Sequence, residues 1–260
     1  MITSRDGATI NYEVEGRGRH VTLVHGVGSH LQAWDGVVAA LRDEFTLLRY
    51  DLRGHAKSGK PPGPYALDDY VADLAALLDA QSVDRTTLVG FSFGGMIAPA
   101  FTVRYPNRVQ ALAIVSAVAG RTAEQRAAVV KRAEDLARGG AAMTVGEAVE
   151  RWFTPEFRAR HPEVIERQIQ RVLGNDPAGY AAAYRVFAES DVIDELHKIT
   201  CPTLVVTGEH DTGSTPTMAR AIHQRIAGSH LLILPRYRHS LLIEATADVV
   251  RELRTFLKDT

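Results

Sequence analysis

The stretch Gly90-Phe91-Ser92-Phe93-Gly94-Gly95 (GFSFGG) lies between the apolar run Thr86-Thr87-Leu88-Val89 and the segment Met96-Ile97-Ala98. Ser92 either ends a strand or attacks a substrate. Small residues around one serine, with strand material before and helix material after, suit a sharp strand-to-helix turn that lifts the hydroxyl clear of a sheet. A hydroxyl is a weak nucleophile at neutral pH. A reactive Ser92 therefore needs a base within hydrogen-bond reach, a group to orient that base, and N–H donors for the oxyanion that forms.

Outward from this turn, strand-length apolar runs recur at 20–25, 45–50, 85–90, 110–116, 202–207 and 230–234. Several lack polar alternation, as strands buried on both faces do. Helical patterns lie between them at 34–41, 67–79, 96–104, 216–226 and 248–257. This alternation predicts an α/β fold with a mostly parallel central sheet flanked by helices. Residues 10–15, with interleaved polar positions, suit an antiparallel edge strand. From 121 to 191 strand material is missing, and helical patterns occupy 123–136, 145–153, 164–173 and 177–189. The expected organisation is a core of residues 1–120 and 192–260, with a helical cap, 121–191, inserted like a lid over the carboxyl ends of the strands.

After the insertion, the run Val205-Val206-Thr207 leads into Gly208-Glu209-His210-Asp211, which offers two carboxylates on a tight turn. Asp211 is the chosen acid, and Glu209, closer to the strand, is the alternative and a candidate to hydrogen-bond the turn. The last strand leads through Pro235-Arg236-Tyr237-Arg238 to His239, the expected base. Serine, acid and histidine then stand in the chain order of a nucleophile-elbow enzyme. The oxyanion donors are expected from the backbone N–H of Phe93 and from Val27, in the glycine-bearing turn His25-Gly26-Val27-Gly28. His25 reads as a structural hydrogen-bonder.

Taken together these residues resemble the α/β-hydrolase superfamily over essentially the whole chain. The segments Arg49-Tyr50-Asp51-Leu52-Arg53-Gly54-His55 and Arg151-Trp152-Phe153-Thr154-Pro155 are most similar to the 3-oxoadipate enol-lactonases and neighbouring small carboxylesterases. The resemblance implies a serine hydrolase that cleaves an ester or lactone of a small carboxylic acid through an acyl-enzyme on Ser92, with no cofactor. A perhydrolase of the haloperoxidase kind and a C–C bond hydrolase would use the same three residues. A ligand-binding receptor would keep only the fold.

Three positions depart from the family's pattern. Ala56 stands where glycine is common, Phe93 follows the serine where methionine is common and is expected to alter the pocket wall, and Pro99 falls inside the helix after the elbow, where a kink near Gly95 is expected. Asp51, Arg53 and His55 read as a network that ties down a loop. Trp152, Tyr180 and Tyr184 are the candidate substrate-binding residues, with Phe153 and Phe187 beside them. Tyr180, Tyr184 and Phe187 share one helical face, which serves cap packing equally well. For an anionic lactone, Arg121, Arg151, Arg185, Arg236 or Arg238 would supply the cation.

Composition narrows the remaining classes. Over 260 residues, 45% are hydrophobic and 23% charged, and the formal net charge is −1, which provides no basic field for nucleic acid or an anionic membrane. No apolar run is long enough to span a bilayer and the first residues do not read as a secretory signal, so a cytoplasmic protein is expected. Cys201 is the only cysteine and reads as a packed thiol. Gly26-Val27-Gly28 begins a dinucleotide-like pattern, but Leu31 occupies the place of its third glycine. Neither a P-loop nor a metal-ligand spacing occurs, and the partner expected is a small ester or lactone.

Overall fold

A computed structural model describes residues 1–4 and 6–260. Its central sheet has the order β3 (Tyr12–Gly16), β5 (Phe45–Tyr50), β4 (Arg19–Val24), β6 (Thr86–Phe91), β7 (Val109–Val115), β8 (Thr203–Gly208) and β9 (His230–Leu234). All pairings are parallel except that of β3 with β5. A two-stranded ribbon of β1 (Ile2–Thr3) and β2 (Thr9–Ile10) precedes it. The edge strand therefore begins two residues later than the sequence pattern indicates, because Ile10 belongs to that ribbon.

Helices cover both faces, which is why the central strands are apolar throughout. One face is packed by α1 (Asp35–Leu41) and α11 (Thr246–Asp259), through Val37, Leu41, Leu253 and Phe256, with Trp34 from the turn just before α1. The other face is packed by α2 (Leu67–Ala80), α3 (Gly94–Arg104) and α9 (Pro216–Arg225), through Leu74, Leu78, Ile97, Phe101 and Ile222. Helix α3 runs without interruption through Pro99. Its first turn is tight, with Gly95 and Met96 donating to Ser92 and Phe93 carbonyls, each three residues back, at 2.9 Å. The proline falls in the next turn and forfeits a single bond.

Between β7 and β8 come α4 (Ala123–Gly139), α5 (Val145–Trp152), α6 (Pro155–Arg160), α7 (Pro162–Leu173) and α8 (Pro177–Glu189), and α10 (Leu241–Glu244) follows β9. The chain leaves and returns at one point. Asp191 accepts from the Gly120 N–H at 3.0 Å and from the Arg121 N–H at 3.3 Å. The short α6 and α10 were not anticipated from periodicity, since one or two turns carry too little of it, although Thr154-Pro155 is the N-cap and N1 signature that marks α6.

Because β5 lies on one side of β4 and β6 on the other, the connections after β4 and β6 diverge and leave a crevice at their carboxyl ends. Two histidines hold its loops. His25 Nε2 accepts from the Leu52 N–H at 3.0 Å while its Nδ1 faces the Gly26 carbonyl at 2.7 Å. His55 Nε2 accepts from the Gly28 N–H at 2.9 Å while its Nδ1 faces the Arg53 carbonyl at 2.9 Å. Each ring must be neutral with its proton on Nδ1 to make both bonds. Burial, with the neighbouring His55, pushes His25 well below the ordinary histidine range, and burial lowers His55 to about 4. Asp51 accepts from the Leu31 N–H and the Asn11 amide, both at 2.8 Å, and Arg53 pairs with Asp73 at 2.6 Å and Asp6 at 2.8 Å. The Asp51, Arg53 and His55 side chains thus bind this loop to its surroundings.

Ala56 has φ of +42°. The left-handed backbone costs a residue with a Cβ about 1–2 kcal/mol, and glycine's greater freedom when unfolded offsets about 0.4–1 kcal/mol of that. Ala56→Gly is therefore expected to raise stability by roughly 0.5–1 kcal/mol, read as a higher urea midpoint. An unchanged or lower midpoint contradicts the strain. The depressed folded-state values of His25 and His55 also carry a sign. Their contribution is fully present above an unfolded value near 6.5 and is lost as pH falls toward 4, on the order of 3 kcal/mol for His55 alone. Urea midpoints should fall steadily between pH 7 and pH 4.5, and more shallowly in His55→Gln. Parallel profiles for the two proteins would exclude this origin.

Candidate active site

The turn after β6 places Ser92 at φ +55°, in the left-handed region, with its N–H bonded to the Val115 carbonyl at 2.9 Å. Three glycines make the turn possible. A Cβ on Gly90 would stand 2.2 Å from the Gly94 carbonyl oxygen, one on Gly94 2.1 Å from the Val24 oxygen, and one on Gly95 2.5 Å from the Ala117 Cβ. Gly26 approaches from the loop after β4, where an added Cβ would lie 3.0 Å from the Ser92 Cβ.

Loops after β8 and β9 bring Asp211 and His239 to the same serine. His239 Nε2 lies 3.1 Å from Ser92 Oγ, and His239 Nδ1 lies 2.8 Å from Asp211 Oδ2. The Asp211 side chain is wholly buried, and its other oxygen accepts from the N–H groups of Gly213 at 2.9 Å and Ser214 at 2.8 Å. These bonds satisfy the carboxylate and fix its direction. Glu209 does not reach His239. It is exposed and accepts from the Arg236 N–H at 2.9 Å, which closes the turn.

The backbone N–H groups of Val27 and Phe93 find no protein acceptor among the described residues, whereas Gly28, Ser29, Gly95 and Met96 around them are bonded. Free donors on the two loops that flank Ser92 can receive an oxyanion. The Phe93 side chain does not form the pocket wall that the sequence suggests. It is fully buried in the core, 4.9 Å from the Tyr70 ring centre and 6.0 Å from that of Phe187, because the elbow turns it beneath the helix.

Ser92, His239, Asp211 and Val27 line a cavity of about 250 Å³ whose remaining wall is shared between the core and the inserted helices. Helices α4, α5, α7 and α8 each contribute one stripe. Gln125, Ala128, Val129 and Arg132 come from α4, Ala148, Arg151 and Trp152 from α5, Gln168, Arg171 and Val172 from α7, and Tyr180, Tyr184 and Phe187 from α8. Spacings of three and four residues align each set along its helix. Trp152, Tyr180 and Tyr184 therefore reach the cavity. Phe153 does not, being buried against Phe157 with ring centres 5.4 Å apart.

Of the five arginines singled out as carboxylate partners, Arg121 and Arg151 line the cavity. Arg185 is an exposed partner of Glu189 at 2.8 Å, Arg238 bonds the Glu150 carbonyl, and Arg236 is exposed. Sequence reading missed Arg132 and Arg171. Their place on the stripes just described, among small and apolar residues, is the signal that could have found them. Burial lowers Arg121 to about 10, and burial likewise lowers Arg151 and Arg171. Among the described residues no cluster of His, Cys, Asp or Glu has metal-binding geometry, and no helix is long and apolar enough to cross a membrane.

A profile of the alpha/beta hydrolase fold matches residues 19–246. The 3-oxoadipate enol-lactonase 2 of Acinetobacter baylyi is 31% identical over 235 residues, 90% of this chain and 87% of that protein. Among solved structures, the enol-lactonase of Burkholderia xenovorans superposes with a TM-score of 0.92 at 29% identity, covering 97% of this chain and 98% of its own. A malate-bound thermophilic esterase of Thermogutta terrifontis gives 0.91 at 31% identity, with 99% and 96% covered. The sheet order, the elbow after β6 and a profile match over most of the length lead to one assignment: the chain belongs to the alpha/beta hydrolase family.

Proposed function

We propose that the protein is a serine hydrolase that cleaves an ester or lactone of a small carboxylic acid through an acyl-enzyme. The observation that carries this reading is the line of contacts from Ser92 Oγ to His239 Nε2 at 3.1 Å and from His239 Nδ1 to Asp211 Oδ2 at 2.8 Å. The similarity to enol-lactonases and an esterase supports the choice of substrate class.

In the proposed reaction Ser92 Oγ attacks the carbonyl carbon while His239 Nε2 takes its proton. Asp211 holds the Nδ1–H tautomer and stabilises the imidazolium. The carbonyl oxygen, now an oxyanion, accepts from the Val27 and Phe93 amides. Collapse of the intermediate breaks the bond to the leaving oxygen, which receives the proton from His239. In a lactone that oxygen stays tethered to the acyl group. Water then attacks the acyl carbon with His239 as base, and Ser92 leaves with the returned proton.

Residues 121–191 are assigned the role of a cap in this scheme. Its helices supply much of the cavity wall, and it is tied to the core by bonds from the Ser240 N–H to the Trp152 carbonyl at 2.9 Å and from Asn175 Nδ2 to the Gly28 carbonyl at 3.0 Å. Substrate choice then lies with Trp152, Tyr180 and Tyr184, and the chemistry with the core loops.

Initial rates on p-nitrophenyl acetate, p-nitrophenyl butyrate and an enol-lactone test the reading. Ser92→Ala should lose at least about a thousandfold in kcat, and Asp211→Asn about a thousandfold or more through loss of the correct tautomer. An organophosphate should add its mass at Ser92 and at no other residue. Full activity in Ser92→Ala would sink the proposal.

A further inference from the structure

The loop that carries His239 is held from two sides. As far as Tyr237 the core holds it, since the Tyr237 carbonyl accepts from the His210 N–H at 2.8 Å and the Tyr237 hydroxyl donates to Asp248 at 2.8 Å. From Arg238 to Glu244, the His239 ring apart, the hydrogen bonds to other elements among the described residues go to the junction of α5 and α6 in the insertion. Arg238 donates to the Glu150 carbonyl, and the Ser240 N–H donates to the Trp152 carbonyl at 2.9 Å. The residues on either side of His239 are thus both tied to α5. Glu244, at the end of α10, accepts from the Thr154 N–H at 3.2 Å and from the Thr154 hydroxyl.

Local sequence explains why the last tie reaches so far. Thr154 is the N-cap of α6, and its hydroxyl accepts from the Phe157 N–H at 3.2 Å. In a capping box the residue three positions after the cap is a glutamate or glutamine that accepts the cap's own N–H. Phe157 stands there instead and offers no acceptor; its ring stacks on Phe153, with centres 5.4 Å apart. A buried N–H without an acceptor is costly, and Thr154 is buried. Glu244, 90 residues further along the chain, takes the place of the missing partner. Residues 152–154 therefore face three ways: Trp152 to the cavity, Phe153 to Phe157, and Thr154 to Glu244.

We propose that Glu244 is a positioning residue for the base. By completing the cap of α6 it fixes α10 and the Ser240 end of the loop against the insertion, and so sets the approach of His239 Nε2 to Ser92 Oγ. Asp211 fixes the tautomer and direction of the ring, whereas the place of the backbone that bears the ring depends on this junction. Misplacement of a reacting group by about 1 Å costs about a hundredfold in rate. Glu244 acts only through the loop. The kinetic part of the inference rests on the hydrolase reading above, and the structural part on the geometry of the junction.

Two readouts test it together: rates on p-nitrophenyl butyrate, and the low-field proton NMR signal of His239 Nδ1–H, assigned by its absence in His239→Gln. Glu244→Ala should lower kcat by about tenfold to a hundredfold with KM unchanged, because alignment of the base matters in the transition state and not in binding. Its His239 signal should broaden through faster exchange with solvent. Glu244→Gln keeps an acceptor for the Thr154 N–H and a donor to its hydroxyl oxygen, so kcat should stay within about threefold of native and the signal should stay sharp. Thr154→Ala breaks the hydroxyl bond from the other side. It should also lower kcat, should cost less than about twofold more when added to Glu244→Ala, and decides by the same readouts should Glu244→Ala not fold. Arg254→Gln, which unties α11 from Glu44 and the Ala40 carbonyl outside the cavity, should keep the native kcat and signal even with a lower urea midpoint. Native kcat and signal in Glu244→Ala, or an effect confined to KM, overturns the proposal, as does equal loss in Glu244→Gln and Glu244→Ala. A His239 signal that depends on Glu244 in a protein with no hydrolytic rate overturns the hydrolase reading alone.

Discussion

The arrangement depends on a backbone turn in which Ser92 adopts a left-handed conformation and its neighbours have no room for side chains. The serine bears a strain of about 1–2 kcal/mol, held by the bond from its N–H to the Val115 carbonyl and by the packing of α3 against the sheet. Gly90, Gly94 and Gly95 are required by contact with backbone oxygens or a packed alanine at 2.1–2.5 Å from any added Cβ. A side chain at Gly94 would push α3 away from the carboxyl end of β4, and the serine and the Phe93 amide would move with it. Strain at this turn is the means by which a hydroxyl is raised out of an otherwise buried sheet.

The place of the turn in the sheet explains what it meets. Strands β4 and β6 are neighbours, with Val24 opposite Gly90, and their outgoing connections part in opposite directions. The loop after β4 therefore stays beside Ser92. It is held by His25 and His55, two rings that accept backbone N–H bonds and stay neutral because they are buried. The bond from Gly28 to His55 turns that amide away from the cavity and leaves the Val27 amide free. A histidine can accept on one nitrogen and donate on the other, so one side chain joins two loops. This is a structural reason for His25 and His55 that does not require either to touch a substrate.

The core and the inserted helices divide the work in physical terms. The core supplies rigid strand ends, from which Ser92, Asp211 and His239 converge. The insertion supplies stripes of side chains along α4, α5, α7 and α8, and through them the shape and charge of the cavity. Asp191 ties the two ends of the insertion together at Gly120 and Arg121.

How much of this is legible without coordinates depends on the range of the interactions involved. The strands, most of the helices, the elbow and the order of serine, aspartate and histidine follow from local pattern, because periodicity and turn chemistry act over a few residues. The preference for Asp211 over Glu209 could be stated from chain position, but only the fold turns one toward His239 and the other toward the Arg236 amide. Tertiary structure also decided that Phe93 points into the core, that Phe153 stacks on Phe157, and which arginines face the cavity. Arg121 and Arg185 look alike in sequence. One is captured by carbonyls 66 and 69 residues further along the chain, while the other pairs with a glutamate one helical turn away. The sequence alone determined the chemistry available at each strand end, since that is set by residue type and order. The direction and charge environment of the cavity side chains were decided only when distant helices packed, because burial and Coulomb interactions depend on distance in space and not along the chain.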